Sequence, residues 1–216
     1  MQRLNKIILT AVLLAPMACS SDNGKTGPDV KPVVPPVQKE TGIEIGKVLP
    51  AWQKGEMDIH FINTTTGECA FLIMPDGTQM LIDAASSLIS TNSNGSTTNT
   101  GIRSRWDPTK TGTRGSMLIA NYLKKCMAWT GNGTIDYIVN THLHNDHFGD
   151  CNSSLPVSGN SSTYRLNGIP EILDLFPVSK VVDRGWPSYD YPFDMQTIAS
   201  NKAAVKNYVN AVNRHE

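Results

Sequence analysis

The stretch Thr141-His142-Leu143-His144-Asn145-Asp146-His147-Phe148-Gly149-Asp150 contains three of the five histidines of this 216-residue chain. A strand-like segment, residues 135–140, directly precedes it. If the chain stays extended through His142, Leu143 and His144, both imidazoles point to the same side, because side chains alternate along a strand. Imidazole and carboxylate groups are the ligands that a divalent metal such as zinc prefers. The stretch therefore predicts two neighbouring metal positions supplied by one short segment.

Strand-like and helix-like patterns alternate on both sides of this stretch. Strands are predicted at residues 58–62, 70–74, 79–82 and 180–183, and helices at residues 115–127, 168–175 and 201–212. The sequence Pro75-Asp76-Gly77 predicts a hairpin turn, because proline restricts φ and Asp-Gly tolerates positive φ. Residues 86–112 are rich in Ser, Thr, Asn and Gly, which predicts a long surface loop. The alternation of strands and helices indicates the α/β class.

The pattern His-x-His-x-Asp-His of residues 142–147 resembles the signature of the metallo-β-lactamase superfamily. Residues 57–62, 69–77 and 80–84 resemble the opening strands of its competence-protein-like branch, which includes the hydrolase domain of the DNA-uptake competence protein. The resemblance covers residues 56–150 and continues more loosely to residue 190. It implies a four-layer αββα sandwich, built from two similar halves, with metals at one edge between the sheets. The chain is expected to contain the N-terminal half and part of the second half.

The resemblance also implies a role for each polar residue of the motif. His142 and His144 would bind a first metal ion, and Asp146 and His147 a second, with Asp146 also counted as catalytic. Two Zn²⁺ ions are expected in the complete family site, with Mn²⁺ or Fe possible. Asp83, at a strand end, would orient the ligand loop through a hydrogen bond. The alternative for Asp83 is a simple turn former.

Other ligands that the family supplies have no clear counterpart later in this sequence. Family members add a third histidine, a bridging aspartate and a final histidine, whereas only His215 follows His147 here. His215 is close to the end of the chain, where residues fray, so we do not expect it to be a ligand. His60, on the first strand, is expected to be structural. The chain is therefore interpreted as a truncated form that is marginally stable, aggregation-prone or dimeric.

The N-terminal residues predict export. Arg3 and Lys6 precede an apolar run, residues 7–15, that is typical of a signal peptide. The sequence up to Cys19 resembles a bacterial lipoprotein processing site, although an ordinary signal peptide cut nearby is the alternative. We divide the chain into a lipoprotein signal peptide, a proline-rich tether and a partial metallo-β-lactamase-like domain: residues 1–18, 19–55 and 56–216. This organisation predicts a lipid anchor at Cys19 and a location in the bacterial cell envelope, periplasmic or at the outer-membrane surface.

Three further cysteines, Cys69, Cys126 and Cys151, leave two arrangements open. One disulfide with one free thiol is possible, and so are three unpaired cysteines. Cys151 lies four residues beyond His147 and is a weaker candidate for a soft metal ligand.

The first functional hypothesis is a metal-dependent hydrolase that acts on phosphodiester or related ester bonds through a metal-activated hydroxide. Its partners would be a small-molecule or nucleic-acid-like ester substrate and, through the N-terminal lipid, a membrane; no protein partner is evident. The net charge of zero gives no support for a nucleic-acid groove. Hydrolysis of a lactam, lactone or thioester at the same site is one alternative. A truncated, non-catalytic surface lipoprotein is the other.

The aromatic residues Trp186, Tyr189 and Tyr191 either line a substrate cleft or pack in the interior.

Replacing the predicted acylated residue tests the anchor. We expect Cys19→Ser to abolish metabolic labelling with a radioactive fatty acid and to release the protein from the membrane fraction, because the thiol that carries the lipid is gone. The matched control is Cys151→Ser, which should be labelled like the wild type. Labelling that persists in Cys19→Ser would refute the assignment.

Overall fold

The computed structural model describes residues 46–64, 67–84, 90–91, 97–98, 114–197 and 200–215. The strands are β1 Asp58–Phe61, β2 Ala70–Ile73, β3 Gln79–Ile82, β4 Ser90–Thr91, β5 Thr97–Thr98, β6 Ile135–Val139 and β7 Val178–Val182. The helices are α1 Gly115–Thr130, α2 Asn145–Phe148, α3 Gly168–Leu175 and α4 Lys202–Arg214. The predicted signal peptide, Cys19, most of the tether and most of the loop at 86–112 lie outside the described residues. None of the helices in the described ranges has the length and apolar character needed to span a bilayer.

One mixed sheet of five strands organises the described residues, in the order β1-β2-β3-β6-β7. The first three strands form antiparallel pairs, and β3-β6 and β6-β7 are parallel. The two parallel connections pass through α1 and α3, which confirms the predicted α/β class. Because β3, β6 and β7 run in the same direction, their carboxyl ends meet at one edge of the sheet. The sandwich of two sheets remains a prediction from the resemblance.

The two faces of the sheet differ in burial. Phe71, Leu81 and Ile138 lie in register on one face and are fully buried in the core that α1, α3 and α4 share. On the opposite face, Ile59 is 50% exposed and Phe61 is 81% exposed. Side chains alternate along a strand, so Ile59 and Phe61 point away from the helices while Phe71, Leu81 and Ile138 point toward them.

All three cysteines of the described residues are free thiols, and Cys69 and Cys126 are buried. The structure therefore agrees with the arrangement of three unpaired cysteines. Burial raises the pKa of the Cys69 thiol to about 12, so this thiol stays protonated and behaves as a small apolar side chain.

A contact between two glycines joins the motif to α3. Gly149 has a φ of +111°, and Gly168, the first residue of α3, has a φ of +57°. A Cβ atom on Gly168 would lie 2.1 Å from the carbonyl oxygen of Phe148 and 2.6 Å from the Cα atom of Gly149. Only glycine allows the two backbones to approach this closely. The end of the motif therefore rests directly on the beginning of α3.

Adding a methyl group at this contact should be costly. We expect Gly168→Ala to lower the free energy of unfolding by roughly 2–4 kcal/mol, because the new Cβ displaces the backbone of Phe148 and strains a positive φ. The matched control is Gly159→Ala, where an added Cβ meets no atom of the described residues within 4 Å. Urea unfolding followed by circular dichroism measures both. Equal stability of the two variants would contradict the proposed contact.

Candidate metal centre

The motif begins where three parallel strands end. The backbone N–H of Asp83, after β3, donates to the carbonyl oxygen of Val139 at 2.9 Å. The N–H of Asn140, after β6, donates to the carbonyl oxygen of Val182 at 2.9 Å. These bonds extend the sheet by one residue and fix the position from which Thr141 enters the motif.

Three imidazoles gather at this edge. Leu143 is buried, and His142 and His144 turn to the other side, with Nε2 of His142 3.0 Å from Nδ1 of His144. The segment predicted as a loop contains a turn of helix, α2, which begins at Asn145. This turn returns the His147 ring to a centroid distance of 3.9 Å from the His142 ring. Thus the alternation places the first pair, and the helical turn adds the third imidazole.

Asp83 connects the end of β3 to the motif. Its carboxylate is fully buried, and its Oδ1 atom accepts a hydrogen bond from the N–H of Thr141 at 2.8 Å. Its Oδ2 atom accepts from the Thr141 hydroxyl at 2.7 Å and faces Nδ1 of His147 at 2.8 Å. The N–H of Ala84 donates to the carbonyl oxygen of His147. Asp83 also has a φ of +54°, so it turns the chain as well as binding the motif.

These contacts determine which imidazole nitrogens carry a proton. A carboxylate only accepts, so Nδ1 of His147 donates to Asp83, and in the neutral form of the ring the lone pair is on Nε2. The Thr141 hydroxyl donates a hydrogen bond to Asp83. Its oxygen can also accept a hydrogen bond from Nδ1 of His142, which lies 3.1 Å away. His142 then also has its lone pair on Nε2. One buried carboxylate thus sets the tautomer of two histidines, one directly and one through a threonine.

The surroundings of His142 also favour its neutral form. Burial lowers its pKa, and the neighbouring His147 and His144 lower it further, against the opposing effect of Asp83 and Asp146. A lowered pKa means that the ring is neutral at pH 7 and offers a lone pair to a metal ion.

The chemistry of this donor set fits a divalent metal. Imidazole and carboxylate are ligands that zinc accepts, and Nε2 of His142 lies 3.0 Å from Nδ1 of His144, at hydrogen-bond distance. Oδ2 of Asp146 lies 3.9 Å from Nε2 of His147. Over the described residues, however, no group of three His, Cys, Asp or Glu side chains converges closely enough to hold an ion. The structure therefore assembles two pairs of donors rather than a closed site.

Three other polar residues, His60, His215 and Asp183, contact residues outside the motif. His60 is buried on β1, with its Nδ1 2.9 Å from the Tyr122 hydroxyl. His215 follows the last turn of α4 and borders the same surface cavity as Asp174. The Asp183 carboxylate accepts from two backbone N–H groups and from the hydroxyls of two buried tyrosines, Tyr189 and Tyr208.

The aromatic loop divides into two kinds of residue. Tyr189 is buried, so it packs in the interior. Trp186 is 44% exposed and Tyr191 is 81% exposed. These two side chains are available at the surface.

Two residues that support the histidines, Thr141 and Asn201, were given no role by the sequence analysis. Thr141 directly precedes the first histidine in the sequence, so its position alone could have indicated a role. Asn201, immediately before α4, donates through its side-chain Nδ2 to the carbonyl oxygen of Leu143 at 2.9 Å. No local pattern connects an asparagine at a helix start with a loop 58 residues earlier.

The model of the metallo-beta-lactamase superfamily matches residues 130–207. This segment contains β6, the motif, α3, β7 and the start of α4, and the match supports a relationship of the chain to that superfamily. Residues 57–84 lie outside the match, so the competence-protein-like branch remains a prediction. The comparisons with curated proteins and with solved structures found no match.

The buried carboxylate can be tested by an isosteric change. We expect Asp83→Asn to weaken zinc binding about 10–100-fold, because an amide cannot accept from Thr141 and His147 together as the carboxylate does. The measurement is a zinc titration in competition with a chromophoric chelator. Asp136→Asn is the control, since Asp136 also accepts a backbone N–H, from Gln79, at 2.8 Å. If the two variants bind zinc equally well, Asp83 does not organise the site.

Proposed function

We propose that this chain is an exported, lipid-anchored, metal-dependent hydrolase that acts on phosphodiester or related ester bonds. The observation that carries the proposal is the proximity of His142 to His144 and to His147 at the carboxyl edge of the parallel strands, with His147 bonded to the buried Asp83. The superfamily match over residues 130–207 supports the same reaction class.

In this proposal each pair of donors would bind one metal ion. His142 and His144 would hold one metal ion, and Asp146 and His147 a second. When bound, such an ion lowers the pKa of a water molecule toward neutrality and polarises the group that the water attacks. The Asp146 side chain is 47% exposed, so a substrate can approach it from solvent.

The protein's own contribution is to orient the imidazoles and to keep His142 neutral. Asp83 and Thr141 favour a proton on Nδ1 of His142 and of His147, which puts the lone pair of each neutral ring on Nε2, and the Nε2 atom of His142 faces Nδ1 of His144 at 3.0 Å. Burial of His142 lowers its pKa and prevents a proton from competing for the lone pair at neutral pH. These interactions organise the donors before any ion arrives, which reduces the cost of binding it.

The substrate class rests on the resemblance of residues 57–84 to the competence-protein-like branch. The net charge of zero adds no argument for nucleic acid over a smaller ester. The exposed Trp186 and Tyr191, on the loop that follows β7, offer apolar surface that an organic substrate could contact.

One observation favours a second candidate, a non-catalytic surface lipoprotein that retains a weak metal site. A catalytic zinc has three protein ligands and a water. The described residues bring donors together only in pairs. This candidate predicts metal binding without turnover.

The hydrolytic activity is tested with a panel of bis-p-nitrophenyl phosphate, nitrocefin and a lactone, with zinc or manganese added. We expect the wild type to hydrolyse the phosphodiester, and His144→Ala to lose at least about 100-fold of this rate together with its bound metal, because one donor of a pair is removed. His215→Ala is the matched control and should retain both.

Three outcomes contradict parts of this account. Turnover of nitrocefin alone would replace the phosphodiester with a lactam substrate. Metal binding without any turnover would favour the non-catalytic lipoprotein. An effect of His215→Ala as large as that of His144→Ala would make His215 a ligand.

A further inference from the structure

We propose that Asn201 is a positioning residue of the metal centre, through which α4 sets the direction of the His142 and His144 imidazoles. The inference rests on the proposed metal-binding function and extends it to a part of the chain that supplies no ligand. Its basis is the 2.9 Å hydrogen bond from Nδ2 of Asn201 to the carbonyl oxygen of Leu143.

The hydrogen bond from Asn201 can orient His144 because of the peptide group to which it is made. The Leu143 carbonyl belongs to the peptide that links Leu143 to His144. Fixing the plane of that peptide restricts ψ of Leu143 and φ of His144, and so the direction in which the His144 side chain leaves the backbone. Asp83 already holds the N–H of Thr141. Thus His142 and His144 lie on a segment that is held at one end by Asp83 and near its other end by Asn201.

The Asn201 side chain can bond to Leu143 because it makes no capping hydrogen bond to α4, the helix that it precedes. The side chain of the residue immediately before a helix usually accepts a hydrogen bond from one of the first backbone N–H groups of that helix. In the described part of the chain, the Asn201 side chain makes no such capping bond; only its backbone carbonyl accepts, from Ala204 and Val205. The carboxamide points instead to the motif.

A second contact keeps α4 at a fixed distance from the motif. The ring of Tyr208, in the middle of α4, packs against Phe148 at the end of α2 with a centroid distance of 5.2 Å. Both rings are fully buried. Movement of α4 would therefore disturb this packing, so Asn201 is presented to Leu143 from a rigid support.

Two substitutions distinguish a positioning role of Asn201 from a contribution of this residue to the stability of the fold. Asn201→Ala removes the donor and any helix-start preference. Asn201→Asp removes the donor too, since a carboxylate only accepts, but keeps a residue that is as favourable as asparagine at a helix start. The matched controls are Asn210→Ala and Asn210→Asp, because Asn210 lies on the same helix and donates to the carbonyl oxygen of Thr163 at 2.8 Å.

The experiment is a Co²⁺ titration of the full chain, read from the visible d–d bands, followed by competition with Zn²⁺ and by urea unfolding. We expect both Asn201 variants to bind Co²⁺ about tenfold more weakly than the wild type, with altered band intensities that report changed ligand geometry. Asn201→Asp should unfold at a higher urea concentration than Asn201→Ala, because aspartate is the more favourable residue at a helix start. Both Asn210 variants should bind Co²⁺ as the wild type does.

The outcomes distinguish this inference from the function on which it rests. Wild-type affinity and spectrum in both Asn201 variants would overturn the positioning role and leave the metal centre intact. Equal weakening in the Asn210 variants would assign the effect to the stability of α4 and overturn it as well. A wild-type chain that binds neither Co²⁺ nor Zn²⁺ overturns the proposed function and this inference together.

Discussion

The arrangement of the motif depends on the burial of one carboxylate, Asp83. An ionised carboxylate inside a protein is costly unless donors surround it. Asp83 obtains its donors from the motif itself, from Thr141 and His147, so the end of β3 and the loop after β6 have to adopt their positions together. The same interaction that satisfies the carboxylate orients the His147 ring, so the folding of the motif and the direction of this imidazole depend on a single contact.

The rest of the fold supports this contact from two other sides. Gly168 brings the beginning of α3 against the backbone of Phe148 and Gly149. Tyr208 and Asn201 bring α4 against Phe148 and Leu143. The motif, which is short and has little regular structure, is therefore held by a strand end, a helix start and a helix face. This explains how three imidazoles stay close to one another on a loop.

Much of the local structure could be predicted because it depends on neighbours in the sequence. The limits of β3 and α3 agree with the predicted residues 79–82 and 168–175, since Asp-Gly turns and apolar spacing are local signals. Helix α1 continues three residues beyond its predicted end and stops before Gly131, whose φ of +70° terminates it. The turn α2 and the Asn201 contact could not be predicted, because both depend on packing across the fold.

The tautomer of His147 in the metal-free protein tests the central role of Asp83 most directly. Long-range ¹H–¹⁵N correlation spectra of the histidine side chains, assigned with His147→Gln, distinguish a proton on Nδ1 from one on Nε2. If Asp83 organises the site, His147 carries its proton on Nδ1 at pH 7.5 and keeps it there in Thr141→Val, because its bond to Asp83 is direct. A proton on Nε2, or rapid exchange between the two nitrogens, would contradict the account.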